Sequence, residues 1–187
     1  MRAFLAVSVH SPSLDASLAA RGVRLPEGEL RWVPAAQRHL TLRFFDELPE
    51  ERVEDVSGAA RAAAADVPCF DLELEGVGCF PGRGPAKVVW AGCGAGREAL
   101  VALADAVSRT LESRGFPGET RPFSPHLTLA RARNRGGSSA VGAAVRRGAV
   151  AVGVLARVRV DRLLLVRSML GSGPPRHDVL GTFPLVA

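Results

Sequence analysis

His39-Leu40-Thr41-Leu42 returns in the second half of the chain as His126-Leu127-Thr128-Leu129, and the two copies use two of the only four histidines. Along an extended strand side chains alternate between faces, so the histidine and threonine of each copy point one way and the leucines the other. Each copy therefore offers an imidazole beside a hydroxyl, backed by an apolar face. A repeat with one copy per half marks duplicated supersecondary structure. The plainer alternative is a good half-buried strand sequence used twice, its histidines satisfied by local hydrogen bonds. The continuations differ: Arg43-Phe44-Phe45 follows the first copy and Ala130-Arg131 the second.

Around the two copies, residues 4–9 read as a strand, followed by a turn at Ser11-Pro12 and a short helix over 14–20 closed by Gly22. A loop over 25–29 leads to a short strand at 30–33, stopped by Pro34, with Trp32 expected to pack against the turn at 35–38. Pro49, Glu50 and Glu51 suit the start of a helix running to about residue 65, with Val53, Val56, Ala60 and Ala64 as its buried stripe and Gly58 as a weak point. Residues 70–74 alternate as a strand with one wet face, 76–84 form a Gly-Pro-rich loop, and 86–91 form an apolar strand. The clearest helix spans 97–114, where Leu100, Leu103, Val107 and Leu111 recur on one face. Pro122 and Pro125 restrain the approach to the second motif. A basic loop is expected over 131–137, a short helix over 138–147, a strand pair over 150–160 and 163–169 joined near Asp161-Arg162, and a last strand over 179–186. Helices interspersed with one-side-wet strands favour an α+β arrangement over a parallel α/β one.

Composition narrows the function. Twenty-four Lys plus Arg against 19 Asp plus Glu give +5, and every basic residue except Lys87 is arginine. That balance fits an anionic substrate, phosphate above all, met by planar guanidinium groups. Two tryptophans, eight phenylalanines and no tyrosine leave few platforms for a broad single-strand-binding sheet. No apolar run approaches the roughly 18 to 20 residues of a membrane span. Residues 1–7 meet the polar His10 and the Ser11-Pro12 turn too soon for a signal peptide and read as the first strand of a cytoplasmic protein. Cys69, Cys79 and Cys93 form neither a CxxC pair nor a disulfide framework, and a small buried thiol is the ordinary state for Cys79.

Other chemistries lack their residues. No phosphate loop with its lysine is present, Gly92-Cys93-Gly94-Ala95-Gly96 lacks the dinucleotide-binding order, and neither motif histidine has a second metal ligand beside it. Paired imidazoles suit phosphodiester cleavage. One removes a proton from the nucleophile and the other protonates the departing oxygen, both near neutral pH and without a metal or cofactor. Thr41 and Thr128 would donate hydrogen bonds to the non-bridging oxygens. Arg131 is a candidate phosphate contact, although a solvated charge run also explains it. His10, at the end of the first strand, is read as an exposed or locally satisfied turn residue.

These residues resemble the 2H phosphoesterase superfamily, named for two His-x-Thr/Ser motifs, here His39-Leu40-Thr41 and His126-Leu127-Thr128. Within it the chain is most similar to the bacterial and archaeal RNA 2',3'-cyclic phosphodiesterases, once described as 2'-5' RNA ligases. The likeness extends over Arg2-Ala3-Phe4-Leu5-Ala6, Trp32-Val33, Phe80-Pro81, Val88-Val89-Trp90, Phe123-Ser124-Pro125, Arg167-Ser168-Met169-Leu170 and Phe183-Pro184-Leu185. It implies a single domain over 1–187, made of two pseudo-symmetric lobes whose antiparallel sheets line a central cleft. It further implies metal-independent opening of a 2',3'-cyclic phosphate on an RNA or oligonucleotide end, leaving a 2'-phosphate, by a monomer. Carried onto this chain, His39 is the general acid and His126 the general base, a polarity that could be reversed without changing the residues. Arg131 resembles a substrate contact, and Phe44, Phe80 and Phe123 are candidate base contacts. His177 departs from the resemblance, which places an aromatic there. The rival readings are end-joining by the reverse transfer, a small cyclic nucleotide or another metabolite's cyclic phosphate as the substrate, and an RNA-end-binding protein without turnover.

Overall fold

The structure, a computed structural model, describes residues 1–20, 28–148, 153–171 and 175–187. Gly22 and most of the loop expected over 25–29 lie outside the described residues, as do the first residues of the strand expected over 150–160. In chain order the elements are β1 (Ala3–Ser8), α1 (Pro12–Ala20), β2 (Leu30–Trp32), β3 (His39–Phe45), α2 (Val53–Ala65), β4 (Phe70–Phe80), β5 (Val88–Cys93) and α3 (Arg97–Glu112). There follow β6 (Leu127–Ala132), α4 (Ser139–Arg146), β7 (Val154–Val160), β8 (Arg162–Met169) and β9 (Arg176–Pro184).

Two antiparallel sheets result, ordered β3-β1-β8-β9 and β2-β6-β5-β4-β7. Each carries one copy of the repeated motif, on β3 and on β6, which is the α+β architecture of paired lobes that the duplication predicts. One apolar core serves both sheets: Leu5, Leu40 and Leu165 of the first cluster with Leu72, Leu103 and Leu127 from the second lobe. Helix α3 buries Leu100, Leu103, Val107 and Leu111, the stripe its periodicity predicts. Helix α2 follows a 3₁₀ turn at Glu50–Arg52, so the helix expected from residue 49 begins at Val53. Its buried face is mostly alanine, which lets α2 and α3 approach closely. Gly58 has a packing reason for its cost in helix propensity, because a Cβ there would lie 3.0 Å from Arg114 Cζ. Ser138 caps α4, its Oγ accepting from the Val141 amide at 3.0 Å.

Three expectations are corrected. The loop expected from residue 76 begins only after Phe80, because Gly76, at φ +65°, sits in a register shift and β4 continues beyond it. Bare backbone at Gly78 then accommodates the Trp90 indole, to which a Cβ would approach within 2.2 Å. The strand pair expected around Asp161-Arg162 is no pair: β7 joins β4 in the second sheet and β8 joins β1 and β9 in the first. One intervening residue, Asp161, cannot close a hairpin, and the chain uses it to cross between sheets. The basic loop expected from Arg131 begins at Arg133, since β6 runs through Ala132.

The chain also exchanges a strand between lobes. β2 directly precedes the first motif in sequence yet pairs with β6, placing Arg31 opposite Arg131 and Trp32 opposite Ala130. Among the described residues no helix is long and apolar enough to cross a membrane.

Candidate active site

Both motifs carry the same backbone irregularity. In β3 the partner of Leu5 is Arg43 and that of Ala6 is Thr41, so Leu42 is an extra residue. In β6 the partner of Val89 is Ala130 and that of Trp90 is Thr128, so Leu129 is extra in the same motif position. Such a bulge places two consecutive residues against one and resets the alternation beyond it. Simple alternation would send Phe44 and Arg131 into the core. With the bulge, His39, Thr41 and Phe44 share the cleft wall in one lobe, and His126, Thr128 and Arg131 in the other. The leucines behind them are buried, Leu40, Leu127 and Leu129 completely.

These six side chains line one cavity of about 410 Å³ between the sheets. Its other walls include Phe4, Arg31, Trp32 and His177. The two imidazoles are held alike. His39 Nδ1 lies 2.7 Å from the Gln37 carbonyl oxygen and His126 Nδ1 lies 2.8 Å from that of Ser124. A carbonyl only accepts, so each Nδ1 carries the hydrogen and each neutral ring keeps its lone pair on Nε2. Neither Nε2 has a protein partner among the described residues. Pro34 precedes the 3₁₀ turn at Ala35–Gln37, whose last residue supplies the first of these carbonyls, and Pro125 stands between Ser124, which supplies the second, and His126.

Surroundings separate the two rings. His39 stacks on Phe4, with centroids 4.5 Å apart and planes 17° apart, and meets the edge of His177 at 5.4 Å. Burial pushes its pKa down from 6.5 to about 4, outweighing the Gln37 hydrogen bond, and the nearby His177 and Arg131 add smaller repulsions. Before substrate binds, His39 is therefore neutral at pH 7. His126 instead meets Phe80 edge-on at 5.1 Å and Trp90 at 6.4 Å. His177 is also held below its usual range by burial.

A buried arginine links the two motifs. Arg43, next to the bulge in β3, donates from Nη2 to the Pro117 carbonyl oxygen at 2.5 Å, and its Nε lies 3.2 Å from a Glu119 carboxylate oxygen. Pro117 and Glu119 belong to the segment that enters β6, so the strand of one histidine anchors the approach to the other.

Of the sequence candidates, both histidines, both threonines, Arg131 and Phe44 meet in the cavity. Phe80 stands beside His126 at the rim, 37% exposed. Phe123 is corrected: it packs against the main core, where its apolar ring leaves water, and does not line the cavity. Trp32, expected to pack on the adjoining turn, is 43% exposed and lines the cavity, since β2 pairs across the cleft with β6. His10 is exposed and outside the cavity lining, and Cys79 is buried. Phe4 and Arg31 carried no sequence signal as cleft residues, because what brings them there is strand pairing: Phe4 opposite Phe44 and Arg31 opposite Arg131. Among the described residues no group of three or more His, Cys, Asp or Glu is placed to hold a metal ion.

Comparison with known proteins identifies the family of the chain. Residues 12–170 match the family model described as the 2'-5' RNA ligase superfamily. An RNA 2',3'-cyclic phosphodiesterase from Aeropyrum pernix is 36% identical over 143 residues, covering 76% of this chain and 78% of that protein. One from Thermus thermophilus is 33% identical over 192 residues, covering 99% of this chain and 90% of that protein. The solved structure of E. coli LigT complexed with 3'-AMP superposes with a TM-score of 0.76 at 25% identity, over 100% of this chain and 98% of that one.

Proposed function

From the premise that the chain belongs to the 2H phosphoesterase, or 2'-5' RNA ligase, superfamily and within it to the RNA 2',3'-cyclic phosphodiesterase family, we propose that it hydrolyses 2',3'-cyclic phosphate ends of RNA or oligonucleotides to 2'-phosphomonoesters without a metal. The observation that carries this reading is the meeting of both His-x-Thr half-sites in one cavity, each Nδ1 bound to a backbone carbonyl. The likeness to E. coli LigT complexed with 3'-AMP adds support for a nucleotide as the occupant.

In this mechanism His126 Nε2 takes a proton from water as the oxygen attacks phosphorus, and the bond from phosphorus to the 3' oxygen breaks in line. His39 Nε2 supplies the proton that the departing 3' oxygen needs, leaving a 3'-hydroxyl and a 2'-phosphate. Thr41 and Thr128 donate to the non-bridging oxygens, where charge is held in the transition state. A general acid must arrive protonated, whereas burial keeps His39 neutral until substrate binds. The bound phosphodiester brings the missing element, because its negative charge beside the ring favours the imidazolium. Substrate binding and protonation of His39 are therefore linked, and the free enzyme avoids burying an unpaired cation.

The deciding experiment is incubation with an oligonucleotide of defined sequence ending in a 2',3'-cyclic phosphate, in the presence of chelator, followed by identification of the monoester. A 2'-phosphate product is expected. A cyclic end that survives intact, or one that opens only when a divalent ion is restored, would refute the reading.

A further inference from the structure

Arg31 and Arg131 are direct cross-strand partners where β2 pairs with β6, and both side chains line the cavity that holds the histidines. Partners of this kind project from the same face, and like charges in that position repel. The same sheet solves this problem elsewhere with opposite charges: Arg157 faces Glu73 and Arg159 faces Asp71 across β7 and β4, at 2.8 and 3.2 Å. Among the described residues no ion pair includes Arg31 or Arg131. Both side chains are exposed to solvent in the open cleft, and partial burial of Arg131 together with the neighbouring Arg31 lowers its proton affinity. Among the described residues no carboxylate balances the two guanidinium groups, which leaves the pair open to an anion from outside.

The reacting phosphate is already provided for. Its non-bridging oxygens face a threonine hydroxyl from each lobe, and the arginine pair is displaced from Thr128 along β6 by three residues that include the bulge, roughly 7 to 10 Å of strand. We propose, resting on the reading of this cleft as a cyclic-phosphate site, that Arg31 and Arg131 together bind a second phosphate. This is the phosphodiester joining the terminal nucleotide to its neighbour, and the pair thereby makes the cleft selective for oligonucleotide ends over cyclic mononucleotides. Paired guanidinium groups suit such an oxyanion, since each offers planar, parallel N–H donors.

Equilibrium binding of two product forms tests this without relying on turnover. The probes are adenosine 2'-phosphate and the dinucleotide ApA bearing a terminal 2'-phosphate, titrated against the parent and against Arg31→Met, which keeps an apolar stem and removes the charge. The parent should bind the dinucleotide about tenfold more tightly than the mononucleotide, consistent with one charge-assisted contact. Arg31→Met, which leaves Arg131 in place, should cut that ratio to about threefold or less and reduce the salt dependence of dinucleotide binding by about one released ion. Arg31→Lys should restore part of the preference, and a dinucleotide with a neutral methylphosphonate linkage should bind the parent like the mononucleotide. Equal affinity of the parent for both probes overturns the proposal. So does an equal loss on both probes in Arg31→Met, which would put Arg31 on the terminal phosphate. Hydrolysis of the corresponding cyclic forms is read separately: failure there removes the catalytic reading, while the binding ratio still decides the role of the arginine pair.

Discussion

The two half-sites share a backbone and differ in almost everything attached to it. His39-Leu40-Thr41 and His126-Leu127-Thr128 both lie on a cleft wall, both hold Nδ1 on the carbonyl two residues earlier, and both are followed by a one-residue bulge. At the next cleft-facing position one lobe carries Phe44, stacked near Phe4, and the other carries Arg131, set beside Arg31. The first imidazole packs between Phe4 and His177, and the second meets Phe80 and Trp90 edge-on. The duplicated backbone thus fixes where the two imidazoles and the two hydroxyls stand in the cleft. What distinguishes the halves is burial and the residue just past the bulge. One wall becomes aromatic and the other cationic, so a nearly symmetric frame carries two chemically different walls.

The harshest test of equivalence is removal of each imidazole in turn. His39→Ala and His126→Ala should each lower turnover of a cyclic-phosphate oligonucleotide by at least about a hundredfold, because each deletes one proton transfer from the transition state. Circular dichroism and the thermal midpoint should show both variants folded, since neither ring is fully buried. Near-parental turnover in either variant would break the pairing of the half-sites. Smaller losses are expected from Thr41→Val and Thr128→Val, about 1.5 to 2.5 kcal/mol in transition-state stabilisation each, below the hundredfold loss of the histidine variants and seen in kcat more than in KM. A loss confined to one threonine would show that a single lobe grips the oxyanion.

Much of this frame was legible from residues alone, for reasons that also mark where legibility stops. The repeat exposed the two half-sites because strand alternation puts histidine and threonine on one face, and the leucine stripe of α3 declared its buried side. What lies three residues past each threonine was not readable by alternation. The bulges at Leu42 and Leu129 arise from pairing with β1 and β5, partners distant in sequence, and they turn Phe44 and Arg131 from core to cleft. The same cause hid Arg31 and Trp32, on a strand that crosses to the other lobe, and produced the false hairpin at Asp161, where local pattern gives no information about which sheet a strand joins. Phe123 looked like a cleft aromatic by its neighbourhood to His126, but closeness in sequence does not say which side a ring takes, and it packs against the core.

A third test uses the difference in burial. In the unfolded chain His39 titrates near 6.5, and in the folded protein it does so near 4. Between these values the unfolded state binds a proton that the folded state refuses, so stability falls as pH drops through this window and the loss levels off below pH 4. The separation of the two values limits the loss to about 3 kcal/mol. His39→Gln lacks this dependence, and the gap between parent and variant in urea unfolding should therefore change steadily from about pH 7 to about pH 4. A gap that is constant with pH would mean that the His39 site is wetter than its packing against Phe4 implies.

The smallest expected effect separates the two neighbours of His39. Burial dominates the depression of its pKa, and the charge of His177 adds a lesser part in the same direction. His177→Phe keeps a flat ring at the edge of both Phe4 and His39, where the histidine now sits at 5.2 and 5.4 Å, and so keeps the site dry while removing a titratable group. NMR titration of the His39 ring should then show a midpoint that moves up from about 4 yet stays below 6.5. If instead the midpoint rises to the free value, charge and not burial sets the state of this ring, and the contrast between the two imidazoles would have to be redrawn as one between a histidine with a cationic neighbour and a histidine without.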